Sequence, residues 1–181
     1  MKKMLLLLTV FSLSFCGTAY FSYDMNASID VEALGSDDFD DGALVIGYNH
    51  KVHEGDQMSF AVGFNYAISP LSVDDTPEDG EFTTYSLYGM VNYGLSESMY
   101  MFGTLGYGFA SDDNDFFGST GVDINPGLSY GLGFGYTLSD TWSVGLGYNM
   151  TAYELEVSGG GMSVDLDLDV DRTFLYAAYS F

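Results

Sequence analysis

Residues 128–138 read Leu128-Ser129-Tyr130-Gly131-Leu132-Gly133-Phe134-Gly135-Tyr136-Thr137-Leu138. Every even position is large and apolar or aromatic, and every odd position is Gly, Ser or Thr. Successive side chains of a β-strand point to opposite faces, so a period of two predicts a strand with one bulky and one small face. A helix would repeat its apolar residues every third and fourth position instead. The pattern then turns and restarts. Leu138-Ser139-Asp140-Thr141-Trp142 leads into a second alternation of Trp142, Val144, Leu146, Tyr148 and Met150. A similar turn, Leu95-Ser96-Glu97-Ser98-Met99, lies 43 residues earlier. That spacing is one hairpin plus one loop, so the chain reads as a succession of hairpins.

Working outward, eight such segments emerge. The first puts Phe21, Tyr23, Met25, Ala27, Ile29 and Val31 on one face and Ser22, Asp24, Asn26, Ser28 and Asp30 on the other. The second, about 43–52, has Leu44, Ile46 and Tyr48 on its apolar face. The third carries Met58, Phe60, Val62, Phe64, Tyr66 and Ile68, and the fourth Tyr85, Leu87, Val91, Tyr93 and Leu95. In the fifth, 99–110, both faces hold aromatics, and Met101, Leu105, Tyr107 and Phe109 are assigned to the bulky face. The quoted stretch is the sixth, Trp142 opens the seventh, and the eighth ends with Leu175, Ala177, Tyr179 and Phe181. Each runs about ten residues, the length a tilted strand needs to cross a bilayer. The connections alternate: short at about 53–57, 95–98 and 138–141, longer and acidic at about 35–42, 70–82 and 111–126.

Alternation also occurs in water-soluble barrels, which turn their apolar face inward and coat the outside with charge. Here the faces opposite the bulky residues carry Gly, Ser, Ala, Thr and Asn rather than Lys and Glu. Small side chains suit the crowded interior of an eight-stranded barrel. The bulky face then meets lipid, with Tyr136, Trp142 and Tyr179 near strand ends as members of an interfacial girdle. The expected fold is all-β: a closed, eight-stranded antiparallel up-and-down transmembrane barrel, since closure alone satisfies strand backbones in lipid.

The start of the chain has the form of an export signal. Lys2 and Lys3 precede an apolar run from Met4 to Phe15, too short for a membrane-spanning helix. Gly17-Thr18-Ala19 places small residues at cleavage spacing, so residues 1–19 are assigned to the signal and 20–181 to the barrel. A lipoprotein cut before Cys16 is the alternative, opposed by the bulk of Phe15. Cleavage after Ala19 removes Cys16, the single cysteine, leaving no thiol or disulfide chemistry. Lys51 and Arg172 then face 26 acidic residues, a net charge of −24. Nucleic acid is excluded as a partner, because phosphate binding needs a basic surface. With 14 Phe, 15 Tyr and one Trp, the chain has ample material for folded apolar surface despite its charge.

The whole pattern resembles the small outer-membrane β-barrel proteins of the OmpA/OmpX type. The most specific element is Tyr179-Ser180-Phe181 with Leu175 and Ala177 behind it. The resemblance implies that Tyr179 and Phe181 form the terminal signal read by the barrel-assembly machinery. It also implies residence in the outer membrane among lipid and lipopolysaccharide.

Several candidate sites compete with plainer readings. Asp165, Asp167 and Asp169, with Asp171, share one strand face and are weak candidates for a divalent cation. A solvated strand end explains them as well, and the glycine and closing glutamate of an EF-hand loop are missing. The acidic loops hold Asp37, Asp38, Asp40, Asp41, Asp74, Asp75, Glu78, Asp79, Glu81, Asp112, Asp113 and Asp115. They suit divalent cations bridging to lipopolysaccharide, or simple solvation. His50 and His53, three apart in a strand, are expected on opposite faces and so not on one metal. Resembled lipid A enzymes place their histidine at the long-loop rim, which neither matches. Arg172 is expected to pair with an acid in the interior. No cofactor and no catalytic group is assigned. The expected role is a barrel that displays acidic loops; a narrow porin is the alternative, and a lipid A enzyme a more distant one.

The final hairpin changes phase. Apolar residues are even from Trp142 to Met150 but odd at Leu155 and Val157; they are odd from Phe181 back to Leu175 but even at Val170, Leu168, Leu166 and Val164. A one-residue change moves side chains to the other face. Both changes lie 11 residues above the short-turn end, about 25 Å for tilted strands, and are expected to mark the top of the lipid band, with bulges or irregular pairing there. Gly159-Gly160-Gly161 is the expected tip. If Phe181 acts chiefly as an assembly signal, its deletion lowers the barrel recovered from cells while refolding into detergent stays near normal, since one strand-end residue contributes at most about 2 kcal/mol. Equal losses in both assays would overturn that role.

Overall fold

A computed structural model of the chain describes residues 17–32, 35–39, 42–72, 81–113, 122–159 and 162–181. Among these residues run ten strands: β1 Gly17–Val31, β2 Gly35–Asp38, β3 Leu44–Glu54, β4 Met58–Ala67, β5 Leu71–Ser72, β6 Glu81–Gly94, β7 Met99–Asp113, β8 Val122–Thr137, β9 Trp142–Gly159 and β10 Met162–Ser180. Eight long strands form an antiparallel ring in chain order, β1-β3-β4-β6-β7-β8-β9-β10, and β1 pairs with β10 to close it. The two short strands attach at the long-loop rim, β2 along the upper half of β1 and β5 along the end of β6. The closed eight-stranded barrel read from the sequence is thus present, with two extra ribbons that its alternation did not reveal.

The repeated turns are built alike. Leu95 N–H donates to Met99 O and Leu138 N–H to Trp142 O, both at 2.8 Å. Ser96 Oγ accepts from Met99 N–H and Ser139 Oγ from Trp142 N–H, both at 3.1 Å. A serine hydroxyl that caps its own turn is a local reason for the turn to form at that residue. These hairpins define one rim, and the longer connections define the other.

The bulky faces point outward as expected. Phe64, Leu87, Leu105, Leu132, Phe134 and Leu146 belong to a continuous exposed belt. The lumen is not filled by small residues alone. Tyr20, Tyr88, Tyr100, Phe102, Phe174 and Tyr176 turn inward, and glycines on adjacent strands make room for their rings. A Cβ on Gly47 would collide with Tyr20, and one on Gly135 with Tyr100 and Tyr176. The Gly alternation of the quoted stretch is the imprint of aromatic rings packed across the barrel.

Two register expectations are corrected. β1 does not keep one apolar face: a bulge between Asp24 and Asn26 leaves Phe21, Tyr23 and Met25 outside and turns Ala27, Ile29 and Val31 inside. The β9–β10 ladder has no bulge, running unbroken from Met162↔Gly159 to Tyr179↔Trp142. Its change of phase is a change of composition on a regular ladder, so Tyr153, Leu155, Leu168 and Val170 become buried. The irregularities at that height lie on the flanking strands, in β1 and in β8 between Asn125 and Leu128. Pro126 sits in the β8 interruption, where a residue without an N–H does least harm.

A ring in which every long strand is paired on both sides resists detergent. Unboiled protein should migrate differently from boiled protein on a detergent gel and show mainly β circular dichroism. A single boiled-like band from properly refolded protein would contradict the closed ring.

Candidate functional site

Three zones succeed one another along the barrel axis. The first is a cavity of about 410 Å³ that reaches from the short-turn residues Glu54, Gln57 and Gly94 up to Asp24, Asn149 and Arg172. Its wall is polar and hydrogen-bonded. The hydroxyls of Tyr20 and Tyr88 lie 2.9 Å apart, and Tyr88 donates to Asn49 Oδ1 at 2.9 Å. Ser86 donates to Asn65 Oδ1 at 2.8 Å, and the hydroxyls of Tyr100 and Tyr176 are 2.9 Å apart.

The cavity ends at a charged pair. Arg172 Nη1 is 3.8 Å from Asp24 Oδ2, with the arginine 7% and the aspartate 2% exposed. Arg172 also donates to Thr84 Oγ1 at 3.1 Å and Asn149 Oδ1 at 3.4 Å. Asn149 and Thr151 in turn donate to Ser129 Oγ at 3.1 and 3.0 Å. Among the described residues Asp24 Oδ2 itself accepts no hydrogen bond. It is held by charge, which ties its position to Arg172. This is the interior pairing expected of Arg172, though the alternation of β1 did not single out Asp24.

Above the pair the lumen becomes apolar. Ala27, Ile29, Val31, Phe39, Ala43, Val45, Ala67, Leu71, Tyr153, Leu155, Leu168 and Val170 form one buried cluster. The outer surface at the same height is acidic. Asp30 faces Asp169, Glu156 faces both Asp165 and Asp123, and Glu154 faces Asp167 across adjacent strands. Partial burial, then the neighbouring Asp171, Asp167 and Asp30, hold the Asp169 carboxyl above its usual range.

Asp165, Asp167 and Asp169 are therefore spread along one outward strand face. Among the described residues no three His, Cys, Asp or Glu gather to hold a metal ion. Of the acidic loop residues, Asp37 and Asp38 lie in β2, and Glu81, Asp112 and Asp113 at strand ends. Asp40, Asp41, Asp74, Asp75, Glu78, Asp79 and Asp115, with the tip at Gly160, lie outside the described residues. The histidine expectation needs correction. The β3–β4 register slips between Lys51 and His53, so His50 lies opposite Val62 and His53 opposite Phe60, both on the outer face. At the short-turn rim Trp142 meets Tyr179 edge-on with centroids 5.1 Å apart, and Tyr136 is exposed. Phe181 stacks on Tyr48 at 6.2 Å. At the upper edge of the belt Tyr148 donates to Asp171.

A closed antiparallel barrel with an exposed apolar belt, aromatic residues at its rim and a polar lumen is an outer-membrane β-barrel, and the cell outer membrane is its location. The chain belongs to the outer membrane protein beta-barrel domain family, whose model matches residues 4–181. Similar solved structures share the fold. The attachment invasion locus protein Ail of Yersinia pestis is 13% identical with a TM-score of 0.56, covering 92% of this chain and 99% of its own. Neisserial surface protein A gives 14% and 0.57 over 93% and 98%. The outer membrane protein AlkL gives 15% and 0.58 over 93% and 90%. A search of curated protein sequences finds no match.

Removing one member of a buried ion pair leaves an uncompensated charge. Arg172→Met is expected to lower stability by about 3 kcal/mol, read from the urea midpoint in micelles. The double variant Asp24→Asn/Arg172→Met should recover most of that loss. A double variant as unstable as Arg172→Met would show that the arginine matters for packing rather than for Asp24.

Proposed function

We propose that this protein is a non-conducting outer-membrane barrel that anchors an acidic β-lobe on the cell surface as an interaction module, without catalysis. The observation that carries this reading is the inversion along the axis: apolar residues fill the barrel mouth while carboxylates cover its outside. Outer-membrane barrels carry short turns on the periplasmic side and long loops outside. That convention puts the polar cavity toward the periplasm and the acidic lobe outside the cell.

The charge selects the partner. Ail has been solved in complex with the heparin analogue sucrose octasulfate. A polysulfated ligand requires basic side chains, and this chain has four basic residues in all: Lys2, Lys3, Lys51 and Arg172. Lys51 pairs with Glu54 near the short turns and Arg172 is buried. The lobe is therefore suited to divalent cations that bridge its carboxylates to lipopolysaccharide phosphates, or to a basic partner. Assembly in the membrane would use Tyr179 and Phe181 as the signal to the barrel-assembly machinery. The competing reading, a narrow porin, draws on the polar cavity, but a buried apolar cluster stands in its path.

Two measurements on the purified and the cellular protein test the proposal. In planar bilayers the barrel should give no steady ion current, and reproducible channels would establish the porin instead. On intact cells, a membrane-impermeant thiol reagent should label Asp167→Cys and Gly160→Cys but not Leu146→Cys. Protection of both outer positions would place the lobe inside the lipid band and remove the surface role.

A further inference from the structure

The closing seam carries information about processing. Three residues assigned by spacing to the signal, Gly17, Thr18 and Ala19, lie within strand β1 and pair on both sides. Gly17 faces His50, Thr18 faces Asn49 and Ser180, and Ala19 faces Tyr48 and Tyr179. Gly17 N–H donates to Phe181 O at 3.3 Å, and Phe181 N–H returns to Gly17 O at 3.1 Å. Thr18 Oγ1 lies 2.9 Å from Ser180 Oγ.

The side chains fit as well as the backbone. A Cβ on Gly17 would collide with the Tyr48 ring, so glycine is what allows that ring to lie across the strand. The ring covering Gly17 is the one that stacks on Phe181. An aromatic laid over a strand glycine is a recurrent device for stabilising a ladder. Ala19 sits in the same row as Tyr48, Tyr179 and Trp142, the aromatic girdle of this rim. A cut after Ala19 would delete the centre of that row. It would leave Tyr179, Ser180 and Phe181 unpaired on one side, at the seam that closes the ring.

We propose that the mature chain begins at Gly17 and that the export signal is removed at the Cys16–Gly17 bond. This rests on the reading of the N-terminal residues as a cleaved signal. Ser14 and Cys16 are small residues at the third and first positions before that bond, the spacing such hydrolysis requires. The step adds one water across the amide, leaving a carboxylate on Cys16 and a free ammonium on Gly17. No other reactant is consumed.

Intact-mass measurement and N-terminal sequencing of protein extracted from outer membranes test the proposal. The expected species starts at Gly17. A species starting at Tyr20 overturns it, as does one starting at a lipid-bearing Cys16. A chain retaining Met1 would instead remove the signal reading on which the proposal stands. Two variants sharpen the result. Ala19→Leu puts a bulky residue before the alternative bond at an outward position, and should leave the Gly17 start and the yield unchanged. Cys16→Leu should abolish the Gly17 species. A change of start in Ala19→Leu with none in Cys16→Leu would place the cut after Ala19.

Discussion

In hydrocarbon a backbone N–H has no acceptor except another part of the protein, and each unpaired group costs several kcal/mol. The pairing of β1 with β10 is where this chain meets that constraint. Every other long-strand pair joins neighbours in the ring order and is served by a nearby connection. The seam joins Thr18 to Ser180, 162 positions apart. Until it forms, two strands carry open edges through the bilayer. The aromatic contacts of Phe181 with Tyr48 and of Tyr179 with Trp142 flank this seam, so rings pack the rim where the ring would open.

Once the ring is closed, the medium outside decides what belongs inside. Within the belt the outside is lipid, bulky apolar side chains face out, and the lumen takes hydroxyls, amides, rings and the Asp24–Arg172 pair. Above the belt the outside is water and the assignment reverses. The strands meet that reversal in two ways. β9 and β10 keep their register and exchange the parity of their apolar residues. β1 and β8 keep the parity and slip the backbone, at Met25 and around Pro126, which carries Ile29 and Ile124 toward the buried cluster. Either device meets the same requirement, and the two slipped strands flank the regular β9–β10 pair on this side of the barrel.

That duality explains what was legible from the residues alone. The belt was readable because period two persists through ten residues and lipid tolerates no exceptions on the outer face. The reversal was visible in β9 and β10 as a change of parity. In β1 it was invisible, because an unbroken run of odd apolar positions hides a bulge by construction. His50 and His53 were misjudged for the same reason: the slip between Lys51 and His53 restores them to one face. The lumen was the least legible part. Tyr20, Tyr88 and Tyr176 interrupt otherwise small faces, and only the glycines opposite them, such as Gly47 and Gly63, hint that a ring must fit there. Asp24 could be recognised as a partner only once Arg172 was brought beside it across the seam.

The acidic lobe raises a question of energy that magnitudes resolve. Like charges directly opposed across strands cost about 0.2–1 kcal/mol each. The opposed pairs Asp30–Asp169, Asp165–Glu156, Asp123–Glu156 and Asp167–Glu154 therefore strain the outer face by a few kcal/mol at most. Burying one Ile, Leu or Val returns about 1.5–3 kcal/mol, and the mouth buries Ile29, Val31, Val45, Leu71, Leu155, Leu168 and Val170. Burial of these side chains outweighs the cross-strand repulsion. Their charge is left over as surface potential. A cation or basic partner that approaches relieves repulsion already present in the folded state, which turns the residual strain of the outer face into affinity. The apolar mouth beneath keeps that surface in shape, and in the proposed reading the same packing closes the lumen.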